Sequence, residues 1–308
     1  MKILITGGAG FIGSNLLTKI DQERHQTYVI DNFSNGKSGY DHSKTQNLEH
    51  IDVKDYAACL KATNGKDAII HLAAKGNVSD SIKNPEENFK NNVLGTFNML
   101  KACAENKISK FILASTGGAL MGNCELPVNE KSVPKPISPY GASKLACEAY
   151  CQAFSHIHGM NVTVLRFANV YGPYSSHKIG LVNSVMNKIS NNERIIIYGD
   201  GSSTRDFIYV DDLCDGIIRA LEHHGGGCNI FHLGTGIETK ILDLTQNLIK
   251  ISQKEEIIID FQPKRMGEVD KNFSSSEKAN KKFGFSPQTL LQEGLKKTWV
   301  WHSEFVYK

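Results

Sequence analysis

Short runs of apolar, mostly β-branched residues alternate with longer amphipathic segments through the first half of the chain. The pattern predicts strands at residues 2–6, 27–31, 49–53, 67–74, 110–116 and 161–168. It predicts helices at residues 11–21, 55–62, 85–106 and 139–158. The strands are apolar on both sides, which is typical of a parallel sheet with helices on each face. We therefore expect an α/β protein with a doubly wound parallel sheet.

The second half of the chain has a different rhythm. After about Val170, glycine- and proline-rich turns come closer together, at residues 172–173, 199–201 and 225–227. This change predicts a large first lobe at residues 1–170, joined by part of 204–225. Residues 171–308 are expected to form mainly a smaller, mixed α/β lobe.

Composition excludes several classes of function. The 308 residues include 35 Lys and Arg against 32 Asp and Glu, a formal net charge of +3 without a basic stripe. This balance argues against a nucleic-acid partner. No apolar stretch reaches the ~18 residues that a membrane span needs, so we expect no membrane partner and a cytoplasmic location. The seven cysteines are scattered, and Cys147 and Cys151 have no second ligand pair at a zinc spacing. We predict no metal site.

A glycine-rich turn connects the first strand to the first helix. Gly7, Gly10 and Gly13 lie between them, where glycine permits a tight turn and a close approach of the main chain to a pyrophosphate. The N–H groups at the start of the helix favour the same anion. The turn thus predicts a dinucleotide-binding site of the Rossmann type.

An acid at the end of the second strand indicates which dinucleotide binds. Asp31 lies 18 residues after Gly13, where a carboxylate meets the ribose hydroxyl groups. A carboxylate repels a 2′-phosphate, and the next residue, Asn32, is not an arginine. The sequence therefore favours NAD over NADP.

A tyrosine–lysine pair supplies candidate chemistry. Tyrosine precedes lysine by four residues at 40/44, 140/144 and 174/178, but only Tyr140 and Lys144 lie on a long predicted helix. There the two side chains share a face. A lysine ammonium and a cationic nicotinamide would stabilise the phenolate, so that Tyr140 can take a proton from a hydroxyl group while hydride leaves the same carbon.

Together these segments resemble the extended short-chain dehydrogenases/reductases, and most closely the nucleotide-sugar epimerases of the UDP-glucose 4-epimerase type. The resemblance covers essentially the whole chain. It is carried by residues 6–13, 31–32, 71–74, 91–93, 139–144, 166–173 (RFANVYGP) and 199–212 (GDGSSTRDFIYVDD). It implies an NAD-dependent epimerase with a nucleotide-sugar substrate, most readily a UDP-sugar.

The resemblance also assigns site residues. For the cofactor it implies Gly7, Gly10, Phe11, Ile12, Gly13, Asp31, Asn32, Asp52, Val53, Leu72, Ala73, Ala74, Asn91, Tyr140 and Lys144. For the nucleotide diphosphate it implies Asn169, Tyr198, Arg205 and Arg265. Arginine suits phosphate oxygens because of its fork of donors. Arg205 could instead pair with Asp206, and Arg265 could be a solvated charge.

The catalytic hydroxyl departs from the family's pattern. The family places a Ser or Thr after the fifth strand, in a segment that ends Val-Tyr-Gly. Counting back from Gly122 puts that position at Gly117, and Met121 replaces the usual tyrosine. Thr116, Ser115 or a water molecule must then supply the hydroxyl group.

A further departure concerns the bulk allowed at the sugar's C2. Seven residues after Arg265, the family has a position at which tyrosine fills space, and this chain has Asn272. We expect the pocket to admit an N-acetyl group.

The sequence leaves alternatives to the epimerase. Gly117 and Gly118 stand where dehydratases and decarboxylases carry acids, which favours redox chemistry at one carbon. An NAD(P)H-dependent 4-ketoreductase of deoxysugar nucleotides would use the same Tyr/Lys pair. A non-catalytic dinucleotide-sensing protein is the alternative from another class. The resemblance also implies a homodimer, formed through a four-helix interface by the helices around 85–106 and 139–158.

Overall fold

The computed structural model describes residues 1–34, 40–42, 45, 47–176, 178–264 and 269–305. Its strands are β1 Lys2–Thr6, β2 Gln26–Asp31, β3 Leu48–His50, β4 Ala68–His71, β5 Lys110–Thr116, β6 Asn161–Phe167, β7 Asn169–Tyr171, β8 Ile195–Tyr198, β9 Thr204–Arg205, β10 Phe207–Tyr209, β11 Cys228–Leu233, β12 Thr239–Lys240 and β13 Ile259–Gln262. Its helices are α1 Phe11–Lys19, α2 Tyr56–Thr63, α3 Val78–Lys83, α4 Pro85–Phe89, α5 Gly95–Glu105, α6 Pro139–His158, α7 Leu181–Ser190, α8 Val210–Glu222, α9 Ile241–Ser252, α10 Glu277–Phe283 and α11 Leu291–Phe305.

A seven-stranded parallel sheet forms the centre of the large lobe. Among the described residues its strand order is β11-β6-β5-β4-β1-β2-β3. The order reverses between β1 and β4, and a crevice opens at the carboxyl ends of strands at such a point. The predicted Rossmann-type, doubly wound sheet is therefore confirmed.

Helices cover both faces of this sheet, as the apolar strands predict. On one face, Ile3 and Ile5 pack with residues of α1, α8 and α10. On the other, Leu4 packs with residues of α2, α5 and α6, including Cys147 and Cys151. Those two cysteines are fully buried, and within the described ranges no group of three or more His, Cys, Asp or Glu side chains could hold a metal ion.

The smaller lobe has a core of its own. Within the described ranges, three two-stranded sheets lie outside the central sheet, formed by β7 with β10, β9 with β12, and β8 with β13. Val185 and Met186 of α7, Leu244 and Leu248 of α9, and Leu295 of α11 pack into one cluster. In the part of the chain that the structure describes, no helix is long and apolar enough to span a membrane.

Three features differ from the elements that the sequence predicts. The helix expected at 85–106 is divided by a π-helical turn, Lys90–Leu94, between α4 and α5. β11 was not predicted as a strand, yet it pairs in parallel with β6 at the edge of the central sheet. The predicted strand at 49–53 is shorter and begins earlier, at Leu48–His50.

Candidate active site

The glycine turn at the end of β1 is built by close main-chain packing. Gly7 has a φ of +67°, and a Cβ there would lie 2.7 Å from the main-chain nitrogen of Ala73. A Cβ on Gly13 would lie 2.5 Å from the Cα of Gly8. Helix α1 then begins at Phe11, and its N-cap residue, Gly10, makes no side-chain capping bond. The first N–H groups of α1 are thus presented for an anion.

Asp31 and Asn32 connect this turn to the neighbouring strands. The Asp31 carboxylate accepts hydrogen bonds from the N–H groups of Ala9 at 3.0 Å and Phe33 at 2.7 Å. Asn32 donates its amide to Asp52 at 3.0 Å. Asp31, Asn32 and Val53 line the cleft, and Asp52 supports Asn32 through this hydrogen bond. The turn and these residues fit the pyrophosphate and ribose of a dinucleotide.

The cleft has a volume of about 680 Å³ and extends from the glycine turn to the smaller lobe. Such a volume is within the range of ligand sites in proteins. Besides the residues already named, the predicted site residues that line it are Phe11, Ile12, Leu72, Ala74, Asn91, Ser115, Thr116, Tyr140, Lys144, Asn169, Tyr198, Arg205 and Asn272. Arg265 lies outside the described residues.

Tyr140 and Lys144 lie in the first turns of α6, at the end of β5. Ser138 caps α6 by accepting a hydrogen bond from Gly141 N–H at 3.2 Å. The Lys144 ammonium donates to the main-chain carbonyl of Ala114 at 2.9 Å. The phenol of Tyr140 is hydrogen-bonded to the side chain of Thr116. The structure thus brings the predicted pair together with one of the candidate hydroxyl groups.

The acidity of this pair is set mainly by burial. Desolvation raises the pKa of Tyr140 to about 12, and the hydrogen bond from Thr116 acts in the opposite direction. Burial also lowers the pKa of Lys144. In the protein alone, therefore, Tyr140 is a neutral phenol. A positive charge brought into the cleft by a bound ligand would favour the phenolate.

The other candidate hydroxyl groups are arranged differently. Ser115 donates to Glu148 at 2.6 Å and is buried. A Cβ at Gly117 would lie 3.1 Å from Ser274 Oγ and 3.2 Å from His232 Nδ1. A side chain at 117 would thus point at those two residues.

The candidate substrate residues within the described ranges line the same cleft. Arg205 donates to the carbonyl groups of Thr204 at 2.8 Å and Asp270 at 3.2 Å. Asp206 is bonded to Thr235 and Gly236. Asn272 is 1% exposed and donates to the carbonyl of Gly117 at 3.4 Å.

Two polar side chains near the cleft were not assigned from the sequence. Lys178 lines the cleft, donates to the carbonyl of Val170, and lies 5.0 Å from the ring centroid of Phe11; burial lowers its pKa to about 8. Its spacing of four residues from Tyr174 could not identify it, because the same spacing occurs at three places in the sequence. Asn92, in the π-helical turn, joins Lys75 to Ser143 of α6, with bonds of 2.8 Å and 2.9 Å. The sequence feature that could have identified Asn92 is the pair of asparagines at 91–92, of which only Asn91 was assigned to the cofactor site.

The sheet, the glycine turn and the tyrosine–lysine pair together define a dinucleotide-binding α/β enzyme. The chain belongs to the NAD dependent epimerase/dehydratase family, which matches residues 3–234. Its cofactor is NAD.

Similar proteins cover the whole chain. A putative UDP-glucose 4-epimerase of Methanocaldococcus jannaschii is 36% identical over 306 residues, which is 97% of each chain. The structure is similar to that of a Thermotoga maritima UDP-glucose 4-epimerase with UDP-glucose, with a TM-score of 0.93, 33% identity, and coverage of 99% of this chain and 100% of the other. A Thermus thermophilus UDP-glucose 4-epimerase complex with NAD has a TM-score of 0.91 and 29% identity, with 99% of both chains covered.

Proposed function

We propose that this protein epimerises the C4 centre of a nucleotide-activated hexose through a transient 4-keto sugar. The observation that carries the proposal is the placement of Tyr140, Thr116 and Lys144 together on the wall of the cofactor cleft, with Lys144 one helical turn from Tyr140. The similarity to UDP-glucose 4-epimerases supports a UDP-sugar as the substrate.

Tyr140 has the central chemical role in this mechanism. Its phenolate accepts the proton of the C4 hydroxyl group, and Thr116 donates a hydrogen bond that steadies the charge. Lys144, held by the Ala114 carbonyl, adds a positive charge on the same helix face. NAD, held by the glycine turn and Asp31, would supply the acceptor for the hydride of C4 and the donor for its return. Tyr140 returns its proton at the end, so the protein is unchanged overall.

The change of stereochemistry requires that the sugar turn while its nucleotide stays bound. Asn169, Tyr198 and Arg205 line the same cleft as the tyrosine–lysine pair, and come from β7, β8 and β9. Binding energy from the nucleotide and diphosphate anchors the substrate there, so the sugar itself needs few fixed contacts. The 4-keto sugar can then present its other face to the cofactor.

The residues after Thr116 favour this chemistry over elimination of water. Gly117 and Gly118 have no side chain that could act as an acid. A 4,6-dehydratase needs an acid and a base at the sugar in addition to the tyrosine. A 4-ketoreductase would use only the tyrosine–lysine pair, as the epimerase does. The ketoreductase consumes NADH in net, whereas the epimerase regenerates its cofactor.

The substrate range is proposed to include N-acetylhexosamines. The amide of Asn272 is held against the end of β5, and its Oδ1 would lie 3.3 Å from a Cβ on Gly118. An asparagine here occupies less volume than a tyrosine. We expect UDP-N-acetylglucosamine to be turned over as well as UDP-glucose, and a strict preference for UDP-glucose would contradict this part of the proposal.

A homodimer is also proposed, through α4–α6. Exposed apolar side chains lie along these helices, with Phe89 57%, Tyr150 41% and Ile157 70% exposed. Burial of such a surface in a four-helix contact would be favourable. Light scattering on the purified protein tests it: a monomer at micromolar concentration would refute the dimer.

The decisive experiment is a substrate panel. The purified protein is incubated with UDP-, dTDP-, GDP- and CDP-sugars, and the products are identified by NMR. We expect C4 epimers of a UDP-sugar without net change in NADH, whereas net consumption of NADH indicates the ketoreductase. Tyr140→Phe should lower kcat by a factor of about 10² to 10⁴. Tyr28→Phe on β2, outside both the cleft lining and the proposed dimer contact, is the matched control.

A further inference from the structure

Three consecutive residues at the end of β5 each contact one residue on a single face of α6. Thr116 is bonded to Tyr140, the carbonyl of Ala114 to Lys144, and Ser115 to Glu148. The three helix residues are spaced four apart and therefore share a face. Two of them form the tyrosine–lysine pair, so the third, Glu148, belongs to the same row without reaching the substrate.

Glu148 is held in place by an ion pair that joins α6 to β6. Arg166 of β6 donates from Nε to Glu148 Oε1 at 3.0 Å and from Nη2 to Oε2 at 2.7 Å. Arg166 is also the register partner of Ser115 in the sheet. All three side chains are at most 5% exposed. The carboxylate thus receives three hydrogen bonds, two of them from the charged guanidinium of Arg166.

A buried ion pair of this kind has a desolvation cost that apolar residues would avoid. Stability alone is therefore a weak reason for the chain to carry one, and its place beside the tyrosine–lysine pair points to another role. Lys144 is 4% exposed, and its hydrogen-bond partner, the Ala114 carbonyl, is uncharged. A buried ammonium needs a nearby negative charge to remain protonated.

The groups that face Lys144 leave Glu148 as that charge. On α6, Cys147 and Cys151 are neutral thiols, because burial raises the pKa of each. On β4, His71 is neutral, because burial and then the charge of Lys144 lower its pKa to about 3. Tyr140 is a neutral phenol. Burial lowers the pKa of Lys144, and Glu148 is the carboxylate among the groups that oppose that change.

We propose that Glu148 is a positioning residue for the reaction: fixed by Arg166 and Ser115, it supplies the negative charge that keeps the buried Lys144 ammonium protonated. Lys144 in turn supports the phenolate of Tyr140. This role rests on the proposed function only for its catalytic consequence, since the protonation of Lys144 can be measured without substrate.

The first test is an NMR titration of selectively labelled lysine side chains in the full-length protein. The Lys144 signal is assigned by its loss in Lys144→Arg. In Glu148→Gln, we expect Lys144 to release its proton at a pH at least one unit lower than in the parent, about a tenfold change in its dissociation constant. The matched control is Glu222→Gln, at the end of α8, which breaks an exposed ion pair with Arg24. It should leave the titration of Lys144 unchanged.

Two further variants separate charge from packing. Ser115→Ala removes the strand–helix hydrogen bond but keeps the ion pair, so Lys144 should titrate as in the parent. Glu148→Met with Arg166→Met replaces both charges by apolar side chains, so that no unpaired buried cation threatens the fold. Glu148 is one turn from Lys144 on the same helix, so its loss should still be felt in this double variant. We expect Lys144 to release its proton at a lower pH than in the parent, but with a smaller shift than in Glu148→Gln.

Enzyme kinetics give an independent readout. If the active form carries a protonated Lys144, a lower pKa moves the alkaline limb of the kcat–pH profile to lower pH, while KM stays unchanged. An unaltered Lys144 titration in Glu148→Gln, or an equal shift in Ser115→Ala, would overturn the proposal. Failure to find epimerase activity would leave the titration result intact and would count only against the proposed function.

Discussion

The carboxylate of Asp31 accepts a hydrogen bond from the main-chain N–H of Ala9 at 3.0 Å, which fixes the end of β2 against the glycine turn. The same carboxylate lines the cleft where the ribose of NAD is expected. We expect Asp31→Ser to weaken NAD binding about tenfold, roughly 1.4 kcal/mol, and to raise the relative affinity for NADP. Titration calorimetry with both cofactors measures this.

Asp67→Ser is the matched control, because Asp67 accepts a main-chain N–H bond from Lys2 at the opposite end of β1. An NAD-to-NADP affinity ratio in Asp31→Ser equal to that of the parent would contradict a role of Asp31 in cofactor choice.

The glycines of the turn should separate into a structural and a ligand-binding group. A Cβ on Gly13 would lie 2.5 Å from Gly8 Cα, so Gly13→Ala should destabilise the fold itself. Gly10 has an ordinary φ of −77°, and a Cβ there would meet only the Gly7 carbonyl oxygen, at 3.2 Å. Gly10→Ala should therefore fold but bind NAD at least tenfold more weakly, because its methyl group stands where the pyrophosphate approaches.

Thermal unfolding with and without NAD distinguishes the two glycine variants. Gly10→Ala should keep the parent's Tm without cofactor and lose most of the increase that NAD produces. A Gly13→Ala variant as stable as the parent would contradict the packing argument.

The catalytic hydroxyl is expected to belong to position 116 rather than 117. Thr116→Val should lower kcat by about 10- to 100-fold, because it removes a hydrogen bond to the reacting phenol. Adding Gly117→Ser should not restore the activity, since a side chain there points to Ser274 and His232. Steady-state kinetics of the two variants decide this, and recovery of kcat in the double variant would favour position 117.

Acid should destabilise the protein through His232. This histidine is fully buried, and burial, followed by the charges of Arg166 and Lys278, lowers its pKa to about 3. Its folded pKa is below the unfolded value of 6.5, so its contribution to stability is present above pH 6.5 and is lost as the pH falls toward 3. The slope reaches at most about 1.4 kcal/mol per pH unit for one proton.

Replacing the histidine should flatten this dependence. We expect the difference in unfolding free energy between pH 7 and pH 5 to be smaller in His232→Leu than in the parent, as measured by urea denaturation. His156→Asn, at an exposed position near the end of α6, is the control. An unchanged difference in His232→Leu would show that His232 is not responsible.

Local patterns predicted the elements on which the site is built. The predicted bounds of β1, β5 and α6, at residues 2–6, 110–116 and 139–158, all agree with the structure. The π-helical turn could not be predicted, because it depends on contacts of Asn92 with Lys75 and Ser143, which are distant in the sequence.

The choice among Thr116, Ser115 and water shows the same limit within the site. The sequence identifies two neighbouring hydroxyl groups, but which residue of α6 each side chain contacts depends on how β5 packs against α6. Only the folded structure shows that Thr116 is bonded to Tyr140 and Ser115 to Glu148. The sequence likewise does not show that Glu148 and Arg166 form a pair, because the pair depends on the packing of α6 against β6.

The position of β11 has a consequence for protein synthesis. When the ribosome has made residues 1–170, β6 is still an open edge, because its partner at Cys228–Leu233 has yet to be translated. An open edge strand invites pairing with other chains. For about sixty residues of translation, at a rate of 5 to 20 residues per second, the nascent chain is therefore exposed to misassembly. Slow codons or premature stops in this interval should be more harmful to yield than the same events after residue 233.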